Sequence, residues 1–542
     1  MTGYGNTAST ISVRLEYDND NNRKMMSNDI ETRRGELQLA LDAQKTQKQR
    51  NVMGQFATPY PLACDIMKHM RQLCTASKSV SLLEPSVGLG AFVSAFHEVF
   101  GSKAGHTLGF EIDRHYYEPA KELWQGCNVD LRNADFLASM PDNAYDMIVA
   151  NPPYVRHHHI ATDIKLRLKN EVHEYSGINI SGLAGLYCHF MILSTKWLCE
   201  GGLSCWLVPC EFMEVNYGRA VKEFLLRNVE LISIHRFVAT DVQFADALVS
   251  SCVVVFRNAR PKAYHKIVFS EGGSVSAPER QTVIDSSALS AEEKWTSRFG
   301  GSADGTTANT NGTTARLGDF FTVKRGIATG DNHFFILDSA AVEKYSIPRK
   351  FLVPVLPSPR YFKANSVTGR PDGLPDTDCQ LFLFNCDLDE PTLKASYPTV
   401  WQYVRQGEER EVNKGYICSR RTPWYSCEKR EPAPFVMPYM GRGESSRQMF
   451  RFILNNSDAI TTNVYLLLYP KKNYARNITD EATRSKVWNV LNSISKERLM
   501  SSGRVYGGGL YKLEPKELMN LPVPEMVEIL KPQTTAVQLT LF

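Results

Sequence analysis

The chain has 542 residues, 43% of them hydrophobic and 22% charged, and a formal net charge of +4; these values describe an ordinary globular protein too long for one core, so at least two domains are expected. The absence of a signal peptide and of any apolar run long enough to span a bilayer argues against membrane and secreted classes and predicts a cytoplasmic protein. The 12 cysteines are scattered, with no Cys-x-x-Cys pair and no histidines at zinc-finger spacing, so they read as reduced core thiols and no metal site is expected.

The small net charge conceals an asymmetry. Residues 1–256 carry 24 basic against 28 acidic side chains, and residues 257–542 carry 38 against 30. A basic second half suits a polyanion, although a solvated basic surface gives the same count.

The first fifty residues are polar. Asp18 to Asn22 reads as a turn or disordered patch, and Ile30, Leu37 and Leu41 predict one exposed helix over about 29–50. That helix makes Arg33, Arg34, Lys45, Lys48 and Arg50 available to a phosphate backbone, or simply to solvent. Thr58 followed by Pro59 predicts a helix start with a capping hydroxyl, continuing through Leu62, Ile66, Met67 and Met70.

Four apolar runs then each end in polar chemistry. Val80 to Glu84 is a predicted strand, and the turn through Pro85, Gly88 and Gly90 leads into a helix over Ala91 to Phe100. The two glycines let the backbone approach a ligand at a helix N-terminus, where an anionic group is favoured. The second strand, His106 to Ile112, ends at Glu111, where a nucleotide-binding βαβ unit places the carboxylate that bonds ribose hydroxyls. The third ends at Asp135 and Phe136, a carboxylate for an adenine amino group and a ring for its face. The fourth, Met147 to Ala150, is apolar on successive positions, as in a sheet covered on both faces, and stops at Asn151-Pro152-Pro153-Tyr154.

The prolines hold Asn151 and Pro152 extended beyond the strand's carboxyl edge, where open α/β sheets bind ligands. The Asn151 side-chain oxygen and the Pro152 carbonyl can accept both hydrogens of an exocyclic amine, whose lone pair is otherwise delocalised, and Tyr154 can stack on an extruded base. Taken alone, the tetrapeptide is equally a proline-stiffened turn. A helix over Leu186 to Cys199, a stop at Gly201-Gly202, the strand Leu203 to Pro209, a helix over Asn216 to Asn228 and strands near Val229 to Phe237 and Ala247 to Phe256 complete a doubly wound sheet.

In order, Phe56-Ala57-Thr58-Pro59, Glu84 to Phe92, Phe110-Glu111-Ile112-Asp113, Ala134-Asp135-Phe136 and Asn151 to Tyr154 resemble the gamma class of DNA adenine-N6 methyltransferases. The resemblance covers roughly residues 54–256. It implies S-adenosyl-L-methionine as cofactor, S-adenosyl-L-homocysteine as product, no metal, double-stranded DNA as substrate and a cognate restriction endonuclease as functional partner. It further implies that Thr58, Glu84, Pro85, Gly88, Gly90, Glu111, Ile112, Asp135, Phe136, Asn151 and Phe190 line the cofactor site. Asn151, Pro152, Pro153 and Tyr154 would be catalytic, with Tyr154 and Phe244 as the walls of a flipped-base pocket; Phe237 lies close to Phe244, which also reads as a core residue.

The implied architecture is a Rossmann-like methyltransferase sheet over 54–260 after a polar extension over 1–53, followed by an α+β target-recognition domain over 261–542 with a flexible segment near 299–318. Arg156 and His157, in a loop of three consecutive histidines, are expected to face DNA. So are Lys324 and Arg325, and Arg420, Arg421, Arg442 and Arg447 within the arginine- and aromatic-rich stretch from Trp401 to Phe452. Cytosine-N4 methylation, protein glutamine-N5 methylation and an inactive DNA-binding specificity subunit are the competing readings.

Overall fold

In a computed structural model of the chain, the described residues are 29–76, 78–238, 243, 250–299, 315–442, 450–495, 498–499, 503–506 and 510–531, without the side chains of 48, 297, 442 and 504–506. Phe244, Arg447, most of the 299–318 segment and the Arg442 side chain lie outside the described residues. The chain divides into two compact units, Met1–Gly305 and Thr306–Phe542. Among the described residues no helix is long and apolar enough to cross a membrane, and all the cysteines are free thiols.

The first unit is built on a nine-stranded sheet. In chain order its strands are β1 (Val80–Glu84), β2 (Ala104–Phe110), β3 (Val129–Arg132), β4 (Tyr145–Ala150), β5 (Leu198–Pro209), β6 (Glu230–Arg236), β7 (Ser251–Arg257), β8 (Lys266–Gly273) and β9 (Pro278–Asp285). Their spatial order is β3-β2-β1-β4-β5-β7-β6-β8-β9. β1 to β5 are parallel, β7 runs against both neighbours, β8 is parallel to β6, and β9 closes the edge antiparallel. The order reverses between β1 and β4, which makes their carboxyl ends a crevice.

The continuous apolar runs are explained by burial on both faces. Met147 and Val149 pack with Leu82, Cys205 and the helices Tyr60–Leu73 and Ala91–Phe100. Ile148 and Ala150 pack with Leu83, Trp206 and the helices Thr162–Ser176, Leu186–Leu193 and Arg219–Arg227 on the other side. Each aliphatic side chain so buried contributes roughly 1.5–3 kcal/mol. The sheet is therefore the expected doubly wound, Rossmann-like one.

Several boundaries differ from expectation. The predicted helix to Cys199 ends at Leu193, passes through a 3-10 turn at Ser194–Trp197, and gives way to β5. Gly201 and Gly202 are not a helix stop; they lie inside β5, where Gly201 N–H donates to Asn258 O at 2.8 Å and Gly201 takes a φ of +76°. The single N-terminal helix is two, over 29–43 and Gln47–Met53, because Thr46 caps the second with a reciprocal Gln49 bond. The division expected at 260/261 lies later in the chain, since β8 and β9 extend the first sheet and Trp295 and Phe299 join its core.

The second unit is the expected α+β domain. One sheet has five strands: β10 (Phe321–Arg325), β13 (Ser366–Thr368), β15 (Phe435–Pro438), β17 (Ile453–Asn456) and β18 (Tyr465–Pro470), in the order β10-β18-β15-β17-β13. Two three-stranded sheets accompany it. The first joins β11 (Ile336–Asp338), β14 (Leu381–Phe384) and β12 (Leu352–Val355); the second joins β16 (Met440–Arg442), β20 (Leu510–Lys512) and β19 (Arg504–Tyr506).

Candidate active site

The carboxyl ends of β1, β2 and β4, with the turn after β3, open on one cavity of about 410 Å³, within the range of small-molecule sites. Of the predicted cofactor residues, Thr58, Glu84, Pro85, Gly88, Glu111, Ile112, Asp135, Phe136, Asn151 and Phe190 line it. Gly90 does not. It takes a left-handed φ of +83°, and a Cβ there would stand 2.7 Å from Trp124 Nε1. The Trp124 indole N–H donates to Leu89 O at 3.1 Å, so Gly90 makes room for a tryptophan behind the turn.

Glu84 is 3% exposed. Burial pushes its carboxyl well above the usual carboxylate range; nearby Arg34 opposes that shift, Glu111 adds to it, and a Val93 backbone bond opposes it. Its Oε2 has no hydrogen-bond partner among the described residues. A buried carboxylate oxygen without a partner is costly, and a cationic or N–H-bearing ligand group would relieve it.

Glu111 accepts from Asp113 N–H at 2.8 Å and from Gly88 N–H at 3.0 Å. Burial raises its pKa to about 7 against those two backbone donors. The Gly88 N–H is thus engaged by Glu111, whereas the sequence suggested it for an anionic ligand. Each carboxylate oxygen keeps acceptor capacity for hydroxyl groups. Asp135 caps the turn Phe136–Ala138 by accepting from Leu137 N–H at 3.0 Å. Phe136 stacks on Phe190 with centroids 5.7 Å apart, and Ile112, 59% exposed, offers an apolar surface at the same cavity.

Asn151 is oriented completely. Its Nδ2 donates to Phe56 O at 2.8 Å and to Thr58 Oγ1 at 3.1 Å. Phe56 O is an acceptor only, so the nitrogen must face it. Among the described residues Oδ1 is left buried without a partner. Thr58 therefore does not cap the following helix as expected; that helix starts after Pro59 with no side-chain cap.

Pro153 lines the cavity, and Pro152 and Tyr154 do not. Tyr154 is 9% exposed, donates its hydroxyl to Leu207 O at 3.1 Å, and sets its ring against Phe56 at 5.6 Å. The ring is thus buried and braced behind Asn151, not exposed in the cavity as expected. Phe56, Gln55 and the helical residues Gln38 and Asp42 also line the cavity, and sequence reasoning gave them no part in it. Phe56 acts through a backbone carbonyl, which no side-chain pattern signals; Gln38 and Asp42 carry the four-residue spacing of one helix face, but only tertiary packing brings that face here.

Expected DNA-facing residues divide by what already holds them. Arg156 is exposed, and His157 begins the turn His157–His159. The three histidines contact one another edge to face and at 4.2 Å between His158 and His159, rather than converging on one point. In the N-terminal segment Arg34 is 5% exposed and bidentate to Glu31, Lys45 pairs with Asp113, and Arg50 lies 3.8 Å from Asp42, so three of the five proposed phosphate contacts are internal.

In the second unit, Lys324 and Arg325 are exposed, with Arg325 lying over the Tyr439 ring at 3.9 Å. Arg420 is exposed and lies 3.5 Å over Tyr416, which is itself 75% exposed. Arg421 is different: its guanidinium donates to Thr329 O at 2.8 Å and Ala328 O at 2.6 Å. Those bonds tie down a loop, so Arg421 is a structural arginine. Arg451 is likewise buried, donating to the carbonyls of Phe362 and Ala364.

Comparison with known proteins adds a family. The pattern described as Eco57I restriction-modification methylase matches residues 89–243, and that of the C-terminal domain of Type II methyltransferase M.Eco57I matches residues 292–541. Type II methyltransferase M.AccI of Acinetobacter calcoaceticus is 27% identical over 488 residues, 86% of this chain and 85% of that protein. Type II methyltransferase M.XamI of Xanthomonas campestris pv. amaranthicola is 27% identical over 495 residues, covering 87% and 85%. The structure of the Type IIL restriction-modification enzyme MmeI in complex with DNA aligns with a TM-score of 0.53 at 11% identity, over 88% of this chain and 69% of that one; this likeness is one of fold.

Proposed function

Because the chain belongs to the type II restriction-modification DNA methyltransferases, we propose that it methylates N6 of an adenine extruded from double-stranded DNA, with S-adenosyl-L-methionine as donor. The observation that carries this reading is the unpartnered Asn151 Oδ1, left as an acceptor because both amide hydrogens are held by Phe56 and Thr58. It is a preorganised acceptor of the kind an exocyclic amine needs.

The cofactor fits the residues present. Glu84 Oε2, buried and unpartnered, suits the amino group of the methionine part; Glu111 suits the ribose hydroxyls; Asp135 the adenine amino group; and Ile112, Phe136 and Phe190 its ring. When bound, that group supplies a methyl on a sulfonium centre. The protein's part is then orientation. Asn151 Oδ1 and the Pro152 carbonyl accept the two N–H groups of the target amine and draw its lone pair out of conjugation. Tyr154, tethered through its hydroxyl and backed by Phe56, holds the base plane. Fixing a nucleophile in line with its acceptor is worth several powers of ten in rate.

Asn151, where the cytosine-N4 class more often has serine, favours adenine. The unpartnered acceptors of Glu84 and Asn151 beside Glu111 support an active enzyme over a degenerate specificity subunit. Exposed Arg156, Lys324, Arg325 and Arg420 supply DNA contacts, and protection of host DNA beside a cognate endonuclease is the role proposed for the modification.

Long-read sequencing for modified bases, on DNA from a host expressing the wild type or Asn151→Ala, tests all of this together. Methyl-N6-adenine at one motif in the wild type and none in the variant is expected. Modified cytosine, or label on protein instead of DNA, refutes the adenine reading.

A further inference from the structure

Two ends of the reaction are tied together by a stretch of chain that neither of the matched sequence patterns includes. At the cofactor end, Glu111 accepts from the Asp113 N–H at 2.8 Å. The Asp113 carboxylate caps its own helix through His115 N–H at 3.0 Å and also reaches across to the N-terminal segment, accepting from Gln55 Nε2 at 2.8 Å and pairing with Lys45. Lys45 donates as well to Gln55 Oε1 at 3.1 Å, so Gln55 is held at both ends of its amide.

At the amine end the same stretch holds the catalytic turn. Gly54 O accepts from Tyr154 N–H at 3.1 Å, Phe56 O and Thr58 Oγ1 fix the Asn151 amide, and the Phe56 ring braces Tyr154. Gly54 must be glycine here. Its φ is +65°, and a Cβ would stand 2.4 Å from Tyr154 N. The five residues from Gly54 to Thr58 also line the cavity.

We infer that Gln55 is a positioning residue, the middle of a strap from Asp113 to Asn151 through which occupancy of the cofactor site sets the orientation of the amine acceptor. The inference rests on the proposed cofactor and amine sites. A ribose on Glu111 changes the carboxylate that holds Asp113; Asp113 holds Gln55; and Gln55 is one peptide bond from the carbonyl that turns the Asn151 amide. Coupling of this kind is reciprocal: DNA with its target base at Asn151 tightens the cofactor site, and the cofactor tightens the grip on DNA. A strap that only fastened the N-terminal segment to the sheet would affect stability and leave that coupling alone.

The test uses Gln55→Ala and Gln55→Glu in the full chain. The glutamate keeps side-chain length and the Lys45 contact but cannot donate to Asp113. S-adenosyl-L-homocysteine is titrated calorimetrically into each protein with and without a duplex carrying the motif found by sequencing, and kcat and KM for the cofactor are measured in parallel. In the wild type the duplex should tighten homocysteine-product binding about fivefold or more, the lower end of common coupling. Both variants should bind the product alone within about threefold of wild type, lose most of the gain from DNA, and show kcat reduced about tenfold with KM for the cofactor raised by about the factor of the lost gain. Wild-type coupling retained in Gln55→Glu, or absent from the wild type itself, overturns the inference. A wild type that binds no S-adenosyl-L-homocysteine at all overturns the underlying cofactor site.

Discussion

Thr58 and Asn151, 93 residues apart in the chain, meet through a 3.1 Å bond from the Asn151 amide to the Thr58 hydroxyl. The hydroxyl is a hinge stop: it takes the second amide hydrogen after Phe56 O has taken the first, and Oδ1 is fixed as the acceptor left without a partner among the described residues. Replacing Thr58 with valine keeps the shape and removes the stop. A lost neutral hydrogen bond is worth about 1–1.5 kcal/mol, or roughly tenfold in a rate that depends on it. Single-turnover methyl transfer by Thr58→Val should slow by about that factor with product binding little changed. A rate equal to wild type would leave the amide oriented by Phe56 alone.

Glu111 predicts a pH dependence. Its carboxyl is raised to about 7 by burial, and the ionised form is the better acceptor for two hydroxyls. Because the folded value lies above the unfolded one, this group costs stability as pH rises from about 4.5 to about 7, and ligand hydroxyls offset that cost by favouring ionisation. S-adenosyl-L-homocysteine should therefore bind more tightly as pH rises, by about tenfold between pH 6 and pH 8. In Glu111→Gln calorimetry should find weaker binding and a smaller slope, the remnant belonging to Glu84, whose carboxyl is shifted the same way by burial. Affinity that falls with rising pH in the wild type contradicts the assignment.

The two glycines of the first turn should behave differently. At Gly88 a Cβ enters open space, and only the φ of +53° opposes it; at Gly90 the φ of +83° is joined by an indole 2.7 Å away. Strain at a left-handed position costs about 1 kcal/mol, and forcing a methyl into a packed contact adds about 1–3 kcal/mol. Gly90→Ala should lower the melting temperature clearly more than Gly88→Ala. Gly88→Ala should act mainly on product affinity, since its Cβ enters the lining of the cavity. Thermal melts with and without ligand separate the two effects, and equal melts would remove Trp124 as the reason for Gly90.

Legibility in the sequence followed the range of the interactions. The continuous apolar run of β4, its proline stop and the acidic strand ends at Glu84 and Glu111 are local patterns, and the doubly wound sheet can be read from them; with the resemblance they also name ten residues that line the cavity. Thr58 looked like a helix cap because the cap motif is local, whereas its actual partner is remote. Gly90 and Arg421 look like ligand-facing residues until Trp124 and the carbonyls of Ala328 and Thr329 are placed beside them. Gly201-Gly202 read as a helix stop because glycine breaks helices, but the antiparallel pairing of β5 with β7, set by residues more than forty positions away, carries the strand through them.

Arg420 and Arg421 are adjacent and should nevertheless separate in experiment. Arg420 lies 3.5 Å from the ring of an exposed tyrosine and, among the described residues, bonds only the carbonyl of Tyr416 at 2.7 Å, so on an exposed side chain most of its donors are left to solvent. Arg421 bonds two carbonyls of the 328–329 loop. Neutralising Arg420 to glutamine should leave the melting temperature within about 1 °C, since surface changes away from special features stay within about ±0.5 kcal/mol. It should weaken DNA binding and lower the slope of log affinity against log salt by about 0.9 if one phosphate contact is lost. If instead Arg420 reads a base edge, the slope holds and the methylated motif relaxes at one position. Arg421→Gln should act the other way: a charged donor withdrawn from two carbonyls costs about 1.5–3 kcal/mol, visible as a lower melting temperature before any effect on DNA. Product affinity should be unchanged in both, because the residues lining the proposed cofactor cavity all belong to the first unit. A salt titration of DNA binding and a thermal melt on each single variant decide it, and an Arg420→Gln protein with wild-type DNA affinity, salt slope and motif would take Arg420 out of the DNA-binding surface.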